Sequence, residues 1–308
     1  MNRKVLVAVD DSVQCRCCVR YVLTMEDQVP DLHYTLFHVQ PQISHYLLDE
    51  VRKHPEQKAE VDRVMARNAE KALNLLDELK TFMVQSGARA DRIHIVTQPR
   101  QQAIAQDIIV YAETGHYDAI VSGRRGISKL QEVFTGSVTA NLIEYSKIVP
   151  LWIVDGEITS NRILVAIDGS ETSLKAVDHL SFMLSGNPHV VITLFHVSPG
   201  LGDSCGIDEK ADATLTSWLR QGAKRCIADF TGKAMEILRR NGLSEQQVEF
   251  KTVERMMNIG KAIVSEIREG NYGTVVIGRS GIDRSIFVGS VSRYVINKAT
   301  DCALWIVN

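Results

Sequence analysis

The residues in this chain best placed to do chemistry are glycines standing beside arginines. In GRRGISKLQEVFTGSVTA, Gly123 and Gly126 are three apart, and nine residues separate Gly126 from the pair Gly136-Ser137. Apolar residues precede the loop and a helix-forming stretch follows it, so the glycines sit between a strand and a helix. Glycine at a strand end admits positive φ and lets the backbone approach a ligand closely. A helix start adds unsatisfied N–H groups, the positive end of the helix dipole and, here, a serine hydroxyl. Together these suit an anion, above all a phosphate chain, and Arg124 and Arg125 bring positive charge to it. Several charge-assisted hydrogen bonds of roughly 1.5–3 kcal/mol each support micromolar binding, about −8 kcal/mol, once association entropy is subtracted.

The loop has an echo, GRSGIDRSIFVGSVSR, in which Gly278, Gly281, Gly289 and Ser290 repeat the pattern beside Arg279 and Arg284. Only seven residues separate Gly281 from Gly289, so the second loop is two residues shorter. A Gly-x-x-Gly alone is an ordinary strand-to-helix turn. The arrangement becomes specific through its companions: a strand before, a Gly-Ser helix start after, and an aspartate at the end of the first strand of each copy. Those aspartates are Asp10, in VLVAVD, and Asp168, in ILVAID. Such a carboxylate can accept from a ribose hydroxyl or an adenine amine, or it can cap the next helix. Val39 and Val197 end the second strands, where a backbone group can read an adenine edge; they serve equally well as plain core. His38 and His196 recur within those strands and read as packed core residues.

Other chemistries are poorly represented. Walker A, GxGxxG, HExxH and GxSxG motifs are absent. VAVDDS resembles the start of a response-regulator receiver, but the third strand ends IVTQ and the fifth WIVDG, without the phosphoacceptor aspartate and the lysine a receiver needs. Glu132 lies in the first loop and reads as a solvated charge rather than a catalytic base, so the chain is expected to have no enzymatic role beyond slow ATPase activity. The six cysteines, Cys15, Cys17, Cys18, Cys205, Cys226 and Cys302, show no CxxC…HxxxH spacing; Cys15, Cys17 and Cys18 crowd one expected helix, and the set reads as small core residues rather than as a metal or redox set.

The elements that must carry these residues are written twice. RKVLVAVDDS matches NRILVAIDGS, TLFHVQP matches TLFHVSP, DAIVSGRRG matches TVVIGRSG, TGSVTANLI matches VGSVSRYVI, and PLWIVDG matches ALWIVN, all in the same order. The copies are too long for solenoid repeats, so each is a domain, 1–155 and 161–308, joined by the polar stretch DGEITSN. Within the first copy, strands at 4–9, 34–39, 92–97, 117–123 and 150–154 alternate with helices. The longest helix carries Val61, Met65, Ala72, Leu76, Leu79 and Met83 at helical spacing and stops at Gly87. In the second copy Leu215, Trp218, Leu219, Cys226, Ile227, Phe230, Ala234, Ile237 and Leu238 line its counterpart. Strict strand-helix alternation implies an α/β fold: two doubly wound parallel sheets with right-handed crossovers, and ligands beyond the carboxyl ends of the strands.

With 308 residues, 45% apolar, 23% charged and a net charge of −2, the chain has material for two cores and no bias toward nucleic acid. No apolar run approaches the ~20 residues of a membrane span, and the N-terminus lacks a signal-peptide pattern. A cytoplasmic location is therefore expected.

An aspartate after strand one and G-x2-G-x9-G-[ST] after strand four resemble the signature of ATP-binding universal stress proteins, over essentially the whole chain as two tandem copies. The resemblance implies an adenine nucleotide hydrolase-like fold, five strands per sheet in the order 3-2-1-4-5, and a stress-response regulatory role. It implies ATP as ligand, with or without Mg2+. Phosphate contacts would fall on Gly123, Arg124, Gly126, Gly136, Ser137 and the Val138 backbone; adenosine contacts would fall on Ala8, Asp10 and Val39. In the second copy the candidates are Ala166, Asp168, Val197, Gly278, Gly281, Gly289 and Ser290, and the shortened loop leaves open whether that site takes a nucleotide, another ligand or none. Asp11 replaces the family's glycine, which Gly169 retains. Part of the family works as ATP-independent interaction proteins, the alternative function here. Universal stress proteins commonly dimerise through the fifth strand. PLWIV and ALWIV would then pair into an intramolecular pseudo-dimer, with Trp152 and Trp305 nearby, and further homodimerisation and unidentified protein partners stay open.

Overall fold

A computed structural model of the chain describes residues 3–25, 29, 31–124, 138–199, 213–256, 258–279 and 288–308. It divides into two compact units, with the boundary between Val149 and Pro150.

The first unit is a parallel sheet of β1 (Arg3–Ala8), β2 (Leu32–Gln40), β3 (Ile93–Pro99) and β4 (Ala119–Gly123) in the order β3-β2-β1-β4. Register runs from Arg3↔Leu32 to Ala8↔Phe37 between β1 and β2, and from Val5↔Ala119 to Val7↔Val121 between β1 and β4. Val5, Leu6 and Val7 are fully buried, which is why β1 reads as one apolar run rather than an alternation: both faces of a doubly wound sheet are covered. Helix α1 (Val13–Thr24) begins at Ser12, whose Oγ accepts the Cys15 N–H at 3.3 Å. It buries Cys15, Cys18, Val19 and Val22. Helix α2 (His45–Lys53) is capped by Ser44. Helix α3 (Lys58–Gln85) buries Ala72, Leu76, Leu79 and Met83. It ends where Gly87 takes a φ of +105° and Ala88 N–H turns back to Met83 O at 3.0 Å. Helices α4 (Ile104–Thr114) and α5 (Val138–Tyr145) complete the unit.

The second unit holds β5 (Leu151–Val154), β6 (Arg162–Ile167), β7 (Val191–Pro199), β8 (Val248–Met256), β9 (Thr274–Gly278) and β10 (Ala303–Val307) in the order β5-β10-β9-β6-β7-β8. Its helices are α6 (Glu171–Met183), α7 (Ala213–Arg240), α8 (Ile259–Glu269) and α9 (Ser290–Lys298). From β6 to β10 the strands are parallel and follow the 3-2-1-4-5 order. β5 pairs antiparallel with β10, with Trp152 opposite Trp305, so β10 lies inside the sheet between β5 and β9.

Three details depart from the sequence reading. The stretch after β2 forms α2, a helix that the strand and helix pattern of the sequence does not signal. The amino-terminal parts of the two long helices turn apolar residues to solvent: Met65 on α3, and Leu215 and Trp218 on α7, are exposed. Cys226, expected in the core, is also exposed, while Cys15, Cys18 and Cys302 are buried and Cys17 half-buried; Cys205 lies outside the described residues. No described helix is long and apolar enough to cross a membrane.

Candidate functional site

From β1 the chain moves to β2 on one side of β1; from β3 it returns to β4 on the other. Strand order reverses at that point, and the crevice beyond the carboxyl ends of β1 and β4 is where doubly wound sheets bind ligands. Asp10 stands two residues past β1, and Gly123 is the last residue of β4. In the second unit β6 and β9 bring Asp168 and Gly278 to the same relation.

Neither aspartate is the cap of the helix that follows it. Ser12 and Ser170 are the caps, and each aspartate is tied to that turn. Asp10 Oδ1 accepts the Ser12 N–H at 3.2 Å and the Ser12 hydroxyl. Asp168 Oδ1 accepts the Ser170 N–H at 3.0 Å and the Ser173 hydroxyl. Both carboxylates are half-buried. The two turns differ in backbone: Gly169 has a φ of +86°, whereas Asp11 is exposed and is not among the positive-φ residues. The Asp11 replacement is thus accommodated by a different turn rather than by strain.

The peptide that leads into each aspartate is held as well. His38 Nδ1–H donates to Val9 O at 2.9 Å, and His196 Nδ1–H to Ile167 O at 3.0 Å. The two histidines are therefore half-buried hydrogen-bonding residues rather than simple packing. Asp168 N–H donates to Ser173 Oγ at 3.2 Å. In the first unit, burial pushes the Cys15 thiol up to about 11, and the Asp10 N–H at its sulfur opposes that rise.

The first glycine of each loop answers to packing. A Cβ on Gly123 would lie 2.9 Å from Gln14 Cβ and 3.1 Å from the Gln14 backbone; one on Gly278 would lie 2.9 Å from Thr172 Cγ2. The strand end runs against the first turn of α1 or α6, and only glycine fits. The glycine carbonyls are clamped in turn: Thr139 Oγ1–H donates to Gly123 O at 2.8 Å, and Ser292 Oγ–H to Gly278 O at 2.7 Å. The sequence reading passed over Thr139 and Ser292, although a hydroxyl stands three residues past the helix-opening glycine in both copies.

Arg124 and Arg279 are buried. In the second unit the Arg279 Nη1 donates to Asn308 Oδ1 at 3.3 Å, its N–H to Val307 O at 2.8 Å, and its carbonyl accepts the Gly289 N–H at 3.0 Å. Gly289 N–H, a candidate phosphate donor, is thereby bonded to its own loop. Ser290 opens α9 and is exposed; Val138 opens α5 and is half-buried. Ala8 pairs with Phe37 and Ala166 with Phe195; Val39 and Val197 are buried and pair with Gln98 and Val253. Gly126, Gly136, Ser137 and Gly281, with Arg125, Glu132 and Arg284, lie outside the described residues. Among the described residues no group of three His, Cys, Asp or Glu side chains is arranged to hold a metal ion.

Comparison with known proteins gives one consistent result. The model of the universal stress protein family matches this chain twice, over residues 1–155 and 159–308. A universal stress protein of Mycolicibacterium smegmatis (strain ATCC 700084 / mc(2)155) is 24% identical over 305 residues, 96% of this chain and 94% of its own length. The fold is similar to the crystal structure of a universal stress protein from Archaeoglobus fulgidus DSM 4304, with a TM-score of 0.66 at 20% identity, covering 98% of this chain and 97% of that one. It is also similar to a functionally unknown protein from Pseudomonas aeruginosa PAO1, with a TM-score of 0.59 at 14% identity, over 99% and 92% of the two chains.

Proposed function

Because this chain belongs to the universal stress protein family, we propose that it is a stress-response regulatory protein that binds an adenine nucleotide, ATP, in the crevice beyond β1 and β4 of its first unit. The observation that carries the reading is that the adjacent parallel strands β1 and β4 bring Asp10, two residues past β1, and Gly123, the last residue of β4, to the point where strand order reverses. In the proposed complex Asp10 accepts from the nucleoside, with Ala8 and Val39 lining that end. Gly123, Gly126, Gly136, Ser137 and the Val138 backbone take the phosphates, through the helix-start chemistry of α5. Gly123 keeps the strand end close enough to α1 for both to reach one ligand.

The second unit supports nucleotide binding less well, because the Gly289 N–H is already engaged by Arg279 O and its loop is shorter. We read it as a regulatory copy without a triphosphate site. Catalysis on this reading is at most slow, with Asp10 tied into its turn by the Ser12 N–H and hydroxyl.

Titration calorimetry with ATP, ADP and AMP tests this. The reading requires heat with ATP from the intact chain, and its loss in Gly136→Asp, where a carboxylate would meet the phosphates. Absence of heat with all three nucleotides would leave the ATP-independent interaction protein as the better description.

A further inference from the structure

The peptide preceding the site aspartate is gripped at its carbonyl in both copies. The backbone ladder between β1 and β2 closes with Val9 N–H donating to Phe37 O at 2.8 Å. The next acceptor on that edge, Val9 O, receives the His38 imidazole at 2.9 Å. Val9 C=O and Asp10 N–H belong to one planar unit, so fixing the oxygen fixes the direction in which Asp10 leaves the strand. The second unit repeats the carbonyl contact, with His196 on Ile167 O at 3.0 Å, and adds Ser173 on the Asp168 N–H at 3.2 Å. Both turns also keep the bond from the Ser12 or Ser170 N–H to the aspartate, and they diverge elsewhere: Asp11 stands against Gly169, and the aspartates accept from non-equivalent serine hydroxyls. The histidine on the preceding carbonyl persists through that divergence.

We propose that His38 is a positioning residue: it clamps the Val9–Asp10 peptide at the Val9 carbonyl and so aims the Asp10 carboxylate at the nucleoside end of the ligand. The proposal rests on the nucleotide reading above. It deepens that reading by placing part of the ligand's affinity in a side chain that does not touch it. His38 must act through Asp10, as the neutral Nδ1–H tautomer or the imidazolium, because a carbonyl only accepts.

Two substitutions separate positioning from packing. Leucine at 38 fills space without a donor. Asparagine carries an N–H at the same branch point as Nδ1. His38→Leu is expected to weaken ATP and adenosine by the same factor, roughly five- to tenfold for the loss of one buried hydrogen bond. His38→Asn should recover most of that affinity. The decisive readout is a double-mutant cycle with Asp10→Ala: once Asp10 is gone, His38→Leu should change affinity no further. Additive effects of the two substitutions would overturn the proposal, as would equal losses in His38→Leu and His38→Asn. If the unaltered chain binds neither ATP nor adenosine, the nucleotide reading fails. The clamp is then decided by hydrogen exchange at the Asp10 amide, which must quicken in His38→Leu and not in His38→Asn. Unchanged exchange in both would remove the clamp as well.

Discussion

The indole of Trp152 lies flat on that of Trp305, with ring centroids 3.9 Å apart and planes within 2°, and the Trp152 Nε1–H donates to His179 Nε2 at 3.2 Å. The stack follows from register: β5 and β10 run antiparallel with these two residues opposite each other, the position at which cross-strand side chains meet most closely. Both tryptophans are fully buried, and His179 sets its ring edge toward each.

That arrangement makes the fold acid-sensitive. Burial lowers the His179 pKa from 6.5 to about 4, because an imidazolium there would lack water and lose its role as acceptor from Trp152. With the folded value below the unfolded one, the unfolded state binds the extra proton between pH 6.5 and about 4. Stability is then fully present above that window and falls as pH drops through it, by roughly 3 kcal/mol in all. Denaturant titrations at pH 7, 6, 5 and 4 should show the decline. His179→Gln, which retains an acceptor for Trp152 and cannot titrate, should flatten this part of the profile; an unchanged profile would show that other groups set the acid limit.

Gly123→Ala should destabilise the chain by about 1–3 kcal/mol, the usual range for an overpacked site. The new methyl would meet Gln14 backbone atoms at 3.1 Å, which cannot move without unseating the first turn of α1. Gly278→Ala should cost less, since the closest atom there, Thr172 Cγ2, ends a side chain that can rotate. Thermal melts of the two variants side by side test the order. A Gly278→Ala variant less stable than Gly123→Ala would contradict it.

Much of this was legible in the sequence because period and punctuation agreed. Apolar runs such as KVLVAV and ILVAI can only be strands covered on both faces, and their alternation with helices fixes a doubly wound sheet. Gly87 marked a helix end where the structure has it. What escaped was of two kinds. Helix α2 carries few buried residues, so its burial pattern is faint, and Tyr46 and Leu47 point outward. Exposed Trp218 and Met65 keep helical spacing past the point where the helix still faces the core; periodicity reports the helix but not how far its partner extends. The clamps by His38, Thr139 and Ser292 were hidden for another reason. Each bonds a backbone carbonyl distant in sequence, and nothing in local composition reveals which carbonyl a side chain will reach.

Thiol reactivity should sort by burial. Cys226 is exposed, whereas Cys15 and Cys18 lie in the core of the first unit. Burial pushes the Cys15 thiol up to about 11 and the Cys18 thiol well above its usual value, leaving little thiolate to attack an alkylating reagent at neutral pH. Iodoacetamide labelling of the native chain, mapped by peptide mass, should modify Cys226 early and spare Cys15 and Cys18 until denaturant is added. Early label at Cys15 would mean that the turn carrying Asp10 opens in solution, which bears directly on the clamp.

The nucleotide reading also fixes a stoichiometry. A helix start can take a phosphate only with N–H groups that point outward and are not already bonded. In the second unit the Gly289 N–H is bonded to Arg279 O at 3.0 Å, and Arg279 is anchored through its own N–H to Val307 O. Opening that loop would break both bonds before any phosphate contact formed, at roughly 0.5–1.5 kcal/mol net for each. One ATP per chain is therefore expected at concentrations that saturate the first unit, measured by equilibrium dialysis or native mass spectrometry. Asp10→Ala should lower that occupancy at a fixed subsaturating concentration. Two equivalent ATP molecules per chain would mean that the closed turn at Gly289 yields easily, and that the two copies are a matched pair rather than a binding unit with a regulatory partner.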